Sequence, residues 1–216
     1  MSANIDSCYE VRQNEVGIMA RNNASNPSTG LYTVGINPCV GLVFWNSDWI
    51  ALAHIENGDK NHIIAGLEPL VDALQQSGGK PTVQLFYSKN YKALTHEQRV
   101  DPQSALAGVW LVEEETEKML KVKNPQTFLM PHEAPNMVVY KANAPQNPTI
   151  IYDDVSGVPN VRQQFTYSGY KTDLERKRNP QAPKWAINGA SGGPIVYAYV
   201  GANRHVRVLE PKDLEL

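Results

Sequence analysis

Cys39 and His54 stand fifteen residues apart in YTVGINPCVGLVFWNSDWIALAHI, residues 32–55, a stretch that is otherwise largely apolar. A thiol and an imidazole in that setting have two readings. A buried cysteine is often a small hydrophobe, and a buried histidine is often a hydrogen-bonded core residue. The same two groups also make a nucleophile and its base. An unassisted thiol, with a pKa of ~8.5, is only a few per cent thiolate at neutral pH. An imidazolium within hydrogen-bond reach favours the thiolate, and the ring can return the proton to a departing amine. A third group should then fix the ring's orientation and tautomer. Such a constellation cleaves amide or acyl bonds without metal or cofactor.

Local sequence favours the chemical reading. Cys39 follows Asn37-Pro38, a pair that breaks a strand because proline lacks an N–H and restricts the residue before it. A corner of that kind can aim backbone N–H groups at one point, as an oxyanion requires. Gly35 and Gly41 bracket the corner and permit close backbone approach. His54 closes a later strand, from which a return connection can bring it beside Cys39.

The elements that must position these residues follow from periodicity. Residues 8–20 alternate weakly and read as one or two short strands, and 21–30 as a loop. A strand is expected over 31–36. VGLVFW (40–45) and WIALAHI (49–55) flank a three-residue turn and read as a buried hairpin. Ile63, Ile64, Leu67, Leu70, Val71 and Leu74 share one helical face ahead of Gly78-Gly79. Pro69 suits the first turn of a helix beginning near Glu68, or interrupts one that begins earlier. TVQLFYS (82–88) reads as a strand, and about 103–121 as a second helix. The Pro- and Asn-rich stretch 124–183 reads as a peripheral insertion carrying the strand candidates NMVVYKA and TIIYDD. KWAIN, GPIVYAYVG and HVRVLEP supply closing strands between 184 and 210. The expectation is a single 1–216 domain of α/β class, an α+β sandwich of mixed sheets packed on one or two helices, with its core over about 8–123.

Composition narrows the function. Of 216 residues, 42% are hydrophobic and 19% charged, which describes a folded chain rather than a disordered one. A formal charge of −2 offers no footprint for nucleic acid. The one basic cluster, ERKRNPQAPK at 175–184, reads as a solvated loop. No apolar run reaches the ~18 residues of a membrane span, and MSANIDSCYE lacks the plan of a secretory signal. Two cysteines suit a reducing compartment, either cytoplasm or a target-cell cytosol reached by a secreted effector. Scattered histidines and the lack of metal or nucleotide motifs predict no metal and no cofactor.

TVGINPCVGLVFW followed by IALAHI resembles the chemoreceptor glutamine deamidase (CheD) family, whose pattern is Thr-x-Gly-x-Gly-Ser-Cys, a hydrophobic strand, then Ala-His. The likeness covers about residues 10–125, including VRQNEVGIMARNN upstream and LEPLVDALQQSGG and TVQLFYS downstream. The wider class includes cytotoxic-necrotizing-factor toxins and N-terminal asparagine amidohydrolases. The resemblance implies a CheD/CNF-like fold and a protein substrate carrying a glutamine side chain, converted to glutamate with loss of ammonia, in the manner of a toxin or effector. Carried over, Cys39 is the nucleophile, His54 the general base and acid, and Thr33 the residue that orients the imidazole. Where the family has Gly-Ser, this chain has Asn37-Pro38, and Pro38 has no N–H to offer an oxyanion. The Cys39 N–H or the Asn37 amide, near Gly35, would have to serve.

Two rival readings remain. NGASGGPIVY resembles the nucleophile loop of chymotrypsin-like serine proteases, with His54, Asp101 and Ser191 in the required order and Gly189 and Gly192 near the last. Against it stand the amphipathic helix between His54 and Asp101, the polar setting of Asp101, and the short chain after Ser191. Alternatively, Cys39 and His54 are core residues of a non-enzymatic binding module.

Overall fold

Residues 40–45 and 49–53 are apolar at odd and even positions alike, which suits strands covered on both faces. The computed structural model describes residues 8–21, 30–36, 39–55, 60–87, 120–130, 136–140, 147–153, 166–169 and 195–216. In chain order its elements begin with β1 (Cys8–Glu10), β2 (Glu15–Ala20), β3 (Gly30–Thr33), β4 (Val40–Trp45) and β5 (Trp49–Ile55). Then come α1 (Lys60–Gly78), β6 (Thr82–Tyr87), β7 (Lys123–Leu129), β8 (Asn136–Tyr140) and β9 (Thr149–Asp153). β10 (Thr166–Gly169), β11 (Val196–Val200) and β12 (His205–Leu209) follow.

The strands form two sheets, one of eight in the order β10-β12-β11-β2-β5-β4-β6-β7 and one of four in the order β1-β3-β8-β9. β4 and β5 sit inside the large sheet, which explains their continuous burial. Leu42, Phe44, Ala51 and Ala53 face α1, together with Val83, Leu85, Ile18 and Tyr197. Val43, Trp45, Ile50 and Leu52 join Tyr9, Leu31 and Val139 of the smaller sheet in a second core. The result is three layers: helix, large mixed sheet, small mixed sheet. That is the α+β sandwich expected.

α1 starts well before Glu68, so Pro69 lies inside it. Proline breaks the local hydrogen-bond ladder, and a side chain from the sheet fills the gap. The Leu70 N–H donates to the Tyr197 hydroxyl at 3.1 Å, and that hydroxyl donates to the Gly66 carbonyl at 2.5 Å. The phenol is thus inserted into the Leu70–Gly66 rung. Gly66 is required there, because a β-carbon would collide with Ile195. Six apolar residues of the helix, Ile63 through Leu74, are buried against the sheet, a gross gain on the order of 10 kcal/mol before entropy. The helix stops at Gly78, with Gly79 at φ +83° in the left-handed region that favours glycine.

Asn46 ties this helix end to the hairpin turn. Its Nδ2 donates to the Leu74 and Gly79 carbonyls at 2.6 and 3.3 Å. Its Oδ1 accepts the Asp48 and Trp49 N–H groups at 3.0 and 2.9 Å.

The stretch expected to be peripheral, 124–183, supplies most of β7 and all of β8, β9 and β10. β8 pairs antiparallel with β3 and with β9, so the NMVVY–TIIYD pair is a structural part of the second sheet, and Val139 is fully buried in the core. The periphery was expected because this segment lacks strong alternation; its strands are short, and β7, β8 and β10 pair with segments distant in the sequence. The helix expected over 103–121 and the strand KWAIN lie outside the described residues, apart from Leu120 and Lys121. No helix among the described residues is long and apolar enough to cross a membrane.

Candidate active site

The hairpin register decides which side chains share a face. His54 is paired with Gly41 on β4 and with Glu15 on β2, and Gly41 is paired in turn with Phe86 on β6. One row of the large sheet therefore reads Glu15, His54, Gly41, Phe86, on the side that faces the smaller sheet. Alternation carried back from β4 puts position 39 on this same face, one step diagonal to His54. Beyond Gly41 the row ends in an aromatic wall: Phe86 stacks on Phe128 at 5.2 Å between centroids and 16° between planes.

Thr33 arrives from the opposing sheet. It ends β3, with Leu31 and Thr33 on the inward side by period-two alternation, and it is fully buried. The Thr33 Oγ1 lies 2.6 Å from the His54 Nδ1. Either the hydroxyl donates to Nδ1, or a protonated Nδ1 donates to the hydroxyl. The sheets approach closely enough for this contact because of Gly17, two residues along β2 from Glu15 and on the same face. A β-carbon there would lie 2.5 Å from the Val11 Cγ2 and 3.2 Å from the Leu31 Cδ2.

His54 is 5% exposed, and its Nε2 is buried with no hydrogen-bond partner among the described residues. Burial pushes the ring's pKa down to about 4, since a charged imidazolium loses its hydration there. The ring is neutral at pH 7. The resting state is thus not the thiolate–imidazolium pair expected from the sequence, and no hydrogen bond joins the Cys39 sulfur to Nε2. A neutral ring instead presents one nitrogen to Thr33 and keeps the other available.

Cys39 is 5% exposed, and neither it nor Cys8 forms a disulfide. Gly35 has φ +68°, with open space where a β-carbon would project, so backbone conformation alone requires glycine in the loop before the cysteine. Asn37 and Pro38 lie outside the described residues. So do Asp101, Gly189, Ser191 and Gly192. Among the described residues, no group of three His, Cys, Asp or Glu side chains is placed to hold a metal ion.

Two neighbours of His54 were not foreseen from sequence. Glu15 is fully buried. Its Oε1 accepts the Tyr9 hydroxyl at 2.6 Å, and its Oε2 accepts the Arg12 N–H at 3.0 Å. The strand is steered into this position by Asn14, at φ +56°, whose N–H donates to the His54 carbonyl at 2.7 Å. The one signal in the sequence was a carboxylate at the head of the apolar strand EVGIMA; its meaning needed the β2–β5 register.

The chain matches no protein-family model, and no curated protein matches it.

Proposed function

We propose that this chain is a thiol-dependent amide hydrolase, most specifically a protein glutamine deamidase, with Cys39 as nucleophile, His54 as base and acid, and Thr33 orienting the ring. The observation that carries the reading is the buried Thr33–His54 contact combined with an unpartnered Nε2. A buried polar atom without a partner costs about 1–3 kcal/mol. A ring pinned at Nδ1 and open at Nε2, with a cysteine assigned by alternation to the same sheet face, is the arrangement a proton-accepting base needs. Thiol–imidazole contacts are often long at rest and tighten only with substrate in place.

The chemistry follows from the neutral ring. With Nδ1–H donated to Thr33, Nε2 holds the lone pair and takes the Cys39 proton as sulfur attacks the carboxamide carbon. The C–S bond forms, and the carbonyl π pair moves to oxygen, facing backbone N–H groups such as that of Cys39. Collapse breaks the C–N bond, and the Nε2 proton leaves on ammonia. Water then adds to the thioester, giving a proton to Nε2, and the second collapse releases glutamate and restores the thiol. The balance is carboxamide plus water to carboxylic acid plus ammonia, with no redox partner.

The order Thr33, Gly35, Cys39, Ala53-His54, the helix and then β6 supports a place among CheD- and CNF-like deamidases, acting on a protein in a reducing cytosol as a resident enzyme or a delivered effector. Two reduced cysteines suit that compartment. The serine-protease alternative gains nothing from the fold, because a helix-covered mixed sheet is not a pair of antiparallel barrels. Ammonia release from a panel of glutamine-containing proteins, with a one-dalton mass gain, should vanish in Cys39→Ser and His54→Ala. Full activity in Cys39→Ser ends the proposal.

A further inference from the structure

Among the described residues, two polar bridges cross side by side between the two sheets, at one end of an apolar cluster. Thr33 of β3 reaches His54 of β5, and Tyr9 of β1 reaches Glu15 of β2. β1 and β3 are neighbours, and Glu15 and His54 are directly opposite across an antiparallel pair. Positions so paired have β-carbons about 5 Å apart.

Burying a carboxylate is an expensive way to join sheets. Its removal from water costs several kcal/mol unless hydrogen bonds and nearby charge compensate, and a glutamine could make comparable bonds to Tyr9 and Arg12 without that cost. The reaction ascribed to His54 supplies a reason for the charge. The ring sits where burial opposes protonation, yet catalysis must make an imidazolium transiently. Among the described residues, contact or strand register places Thr33 on β3, Glu15 on β2 and Cys39 before β4 beside it, with Tyr9 on β1 bound to Glu15. Of these, Glu15 alone can supply negative charge without taking part in bond making.

We propose that Glu15 is a positioning residue of this site: held by Tyr9 and the Arg12 amide, its carboxylate stabilises the His54 imidazolium as it forms during proton transfer from Cys39. The inference rests on the Cys–His reading given above. The carboxylate need not touch the ring. A fixed anion in a water-poor interface acts over several ångströms, and its hydrogen bonds keep it from swinging away.

The test is iodoacetamide alkylation of Cys39, followed by peptide mass across pH 4–8, which needs no substrate. Wild type should react at least tenfold faster than His54→Ala at pH 7. Glu15→Gln should slow the reaction about tenfold and move its acid limb to lower pH, because loss of the anion lowers the ring's proton affinity. Glu15→Asp should stay within threefold of wild type. A merely structural role would slow the reaction without moving the limb. A wild-type rate and unmoved limb in Glu15→Gln overturn this inference and leave the Cys–His site standing. Equal rates in wild type and His54→Ala overturn that site itself, and this inference with it. Should Glu15→Gln not fold, Tyr9→Phe takes its place. It removes one of the two bonds that hold the carboxylate in place, so the limb should move to lower pH as in Glu15→Gln but by less; an unmoved limb refutes the proposal.

Discussion

Lowering the pH should unfold this protein through His54 in a calculable way. The ring's pKa is about 4 in the folded state, against 6.5 in an exposed chain. Above pH 6.5 the ring is neutral in both states and contributes nothing to the pH dependence. As pH falls, the unfolded chain takes up a proton that the folded state refuses, so stability drops between 6.5 and 4 and levels off below. Linkage gives a loss of about 0.8 kcal/mol at pH 6 and about 2 kcal/mol at pH 5 from this one residue. Urea unfolding of wild type and His54→Gln at pH 7.5, 6 and 5 isolates it, because the other four histidines are common to both proteins. His54→Gln will be less stable at pH 7.5 but should lose about 2 kcal/mol less between pH 7.5 and 5. If the two proteins fall in parallel, the ring is not held neutral by burial, and the base assigned to it loses its physical ground.

Four further substitutions probe the same architecture. Thr33→Val keeps the shape but removes the hydroxyl on Nδ1; deamidation should fall about 10–100-fold with the melting temperature little changed, as read by ammonia release. Gly17→Ala forces a β-carbon against Val11 and Leu31 and should cost about 1–3 kcal/mol in denaturant titration, with activity lost in parallel as Thr33 is pushed from the ring. Tyr197→Phe leaves the Leu70 N–H and Gly66 carbonyl unbridged beside Pro69 and should cost about 2–4 kcal/mol, seen as an earlier thermal transition by circular dichroism. Asn46→Ala removes both donors and acceptors at the helix end and should cost a similar ~2–4 kcal/mol, while activity per folded molecule is retained.

The sequence was most legible where one pattern determined one element. VGLVFW and WIALAHI are strands to the residue, because continuous apolar runs around a short polar turn admit little else at that length. The helix was legible as a face but not as a boundary. Pro69 allowed either a start near Glu68 or an earlier helix that it interrupts; the structure has the earlier start and bridges the broken rung with a hydroxyl 127 positions away from Leu70. No local rule contains that partner. The second sheet was the least visible part. β1 lies parallel to β3, and β8 closes on β3 from more than a hundred residues downstream. Short strands paired that far apart leave almost no periodicity to read.

The site shows the same division. Cys39 and His54 were marked by residue type and spacing, since a thiol and an imidazole amid apolar sequence stand out, whereas Thr33 was marked only by the resemblance to the deamidase pattern. Glu15 and Tyr9 were not, because a carboxylate in a weakly alternating segment reads as a solvent-facing strand position. Only the pairing of Glu15 with His54 changes its meaning.

Register is therefore the variable on which the chemistry depends. A slip of one residue between β4 and β5 would turn every side chain to the opposite face, sending His54 toward α1 and away from Thr33. Three separate contacts oppose the slip. Asn46 fixes the turn against Leu74 and Gly79 at one end. The Asn14 N–H holds the His54 carbonyl at the other. Gly17, the only residue type that fits beneath Val11 and Leu31 without a shift, sets the depth at which the small sheet seats. A non-catalytic core would need only apolar matching, and cores tolerate many ways of achieving it. Under the proposed function, these polar and steric constraints together serve a buried ring held at Nδ1 by Thr33 and left open at Nε2.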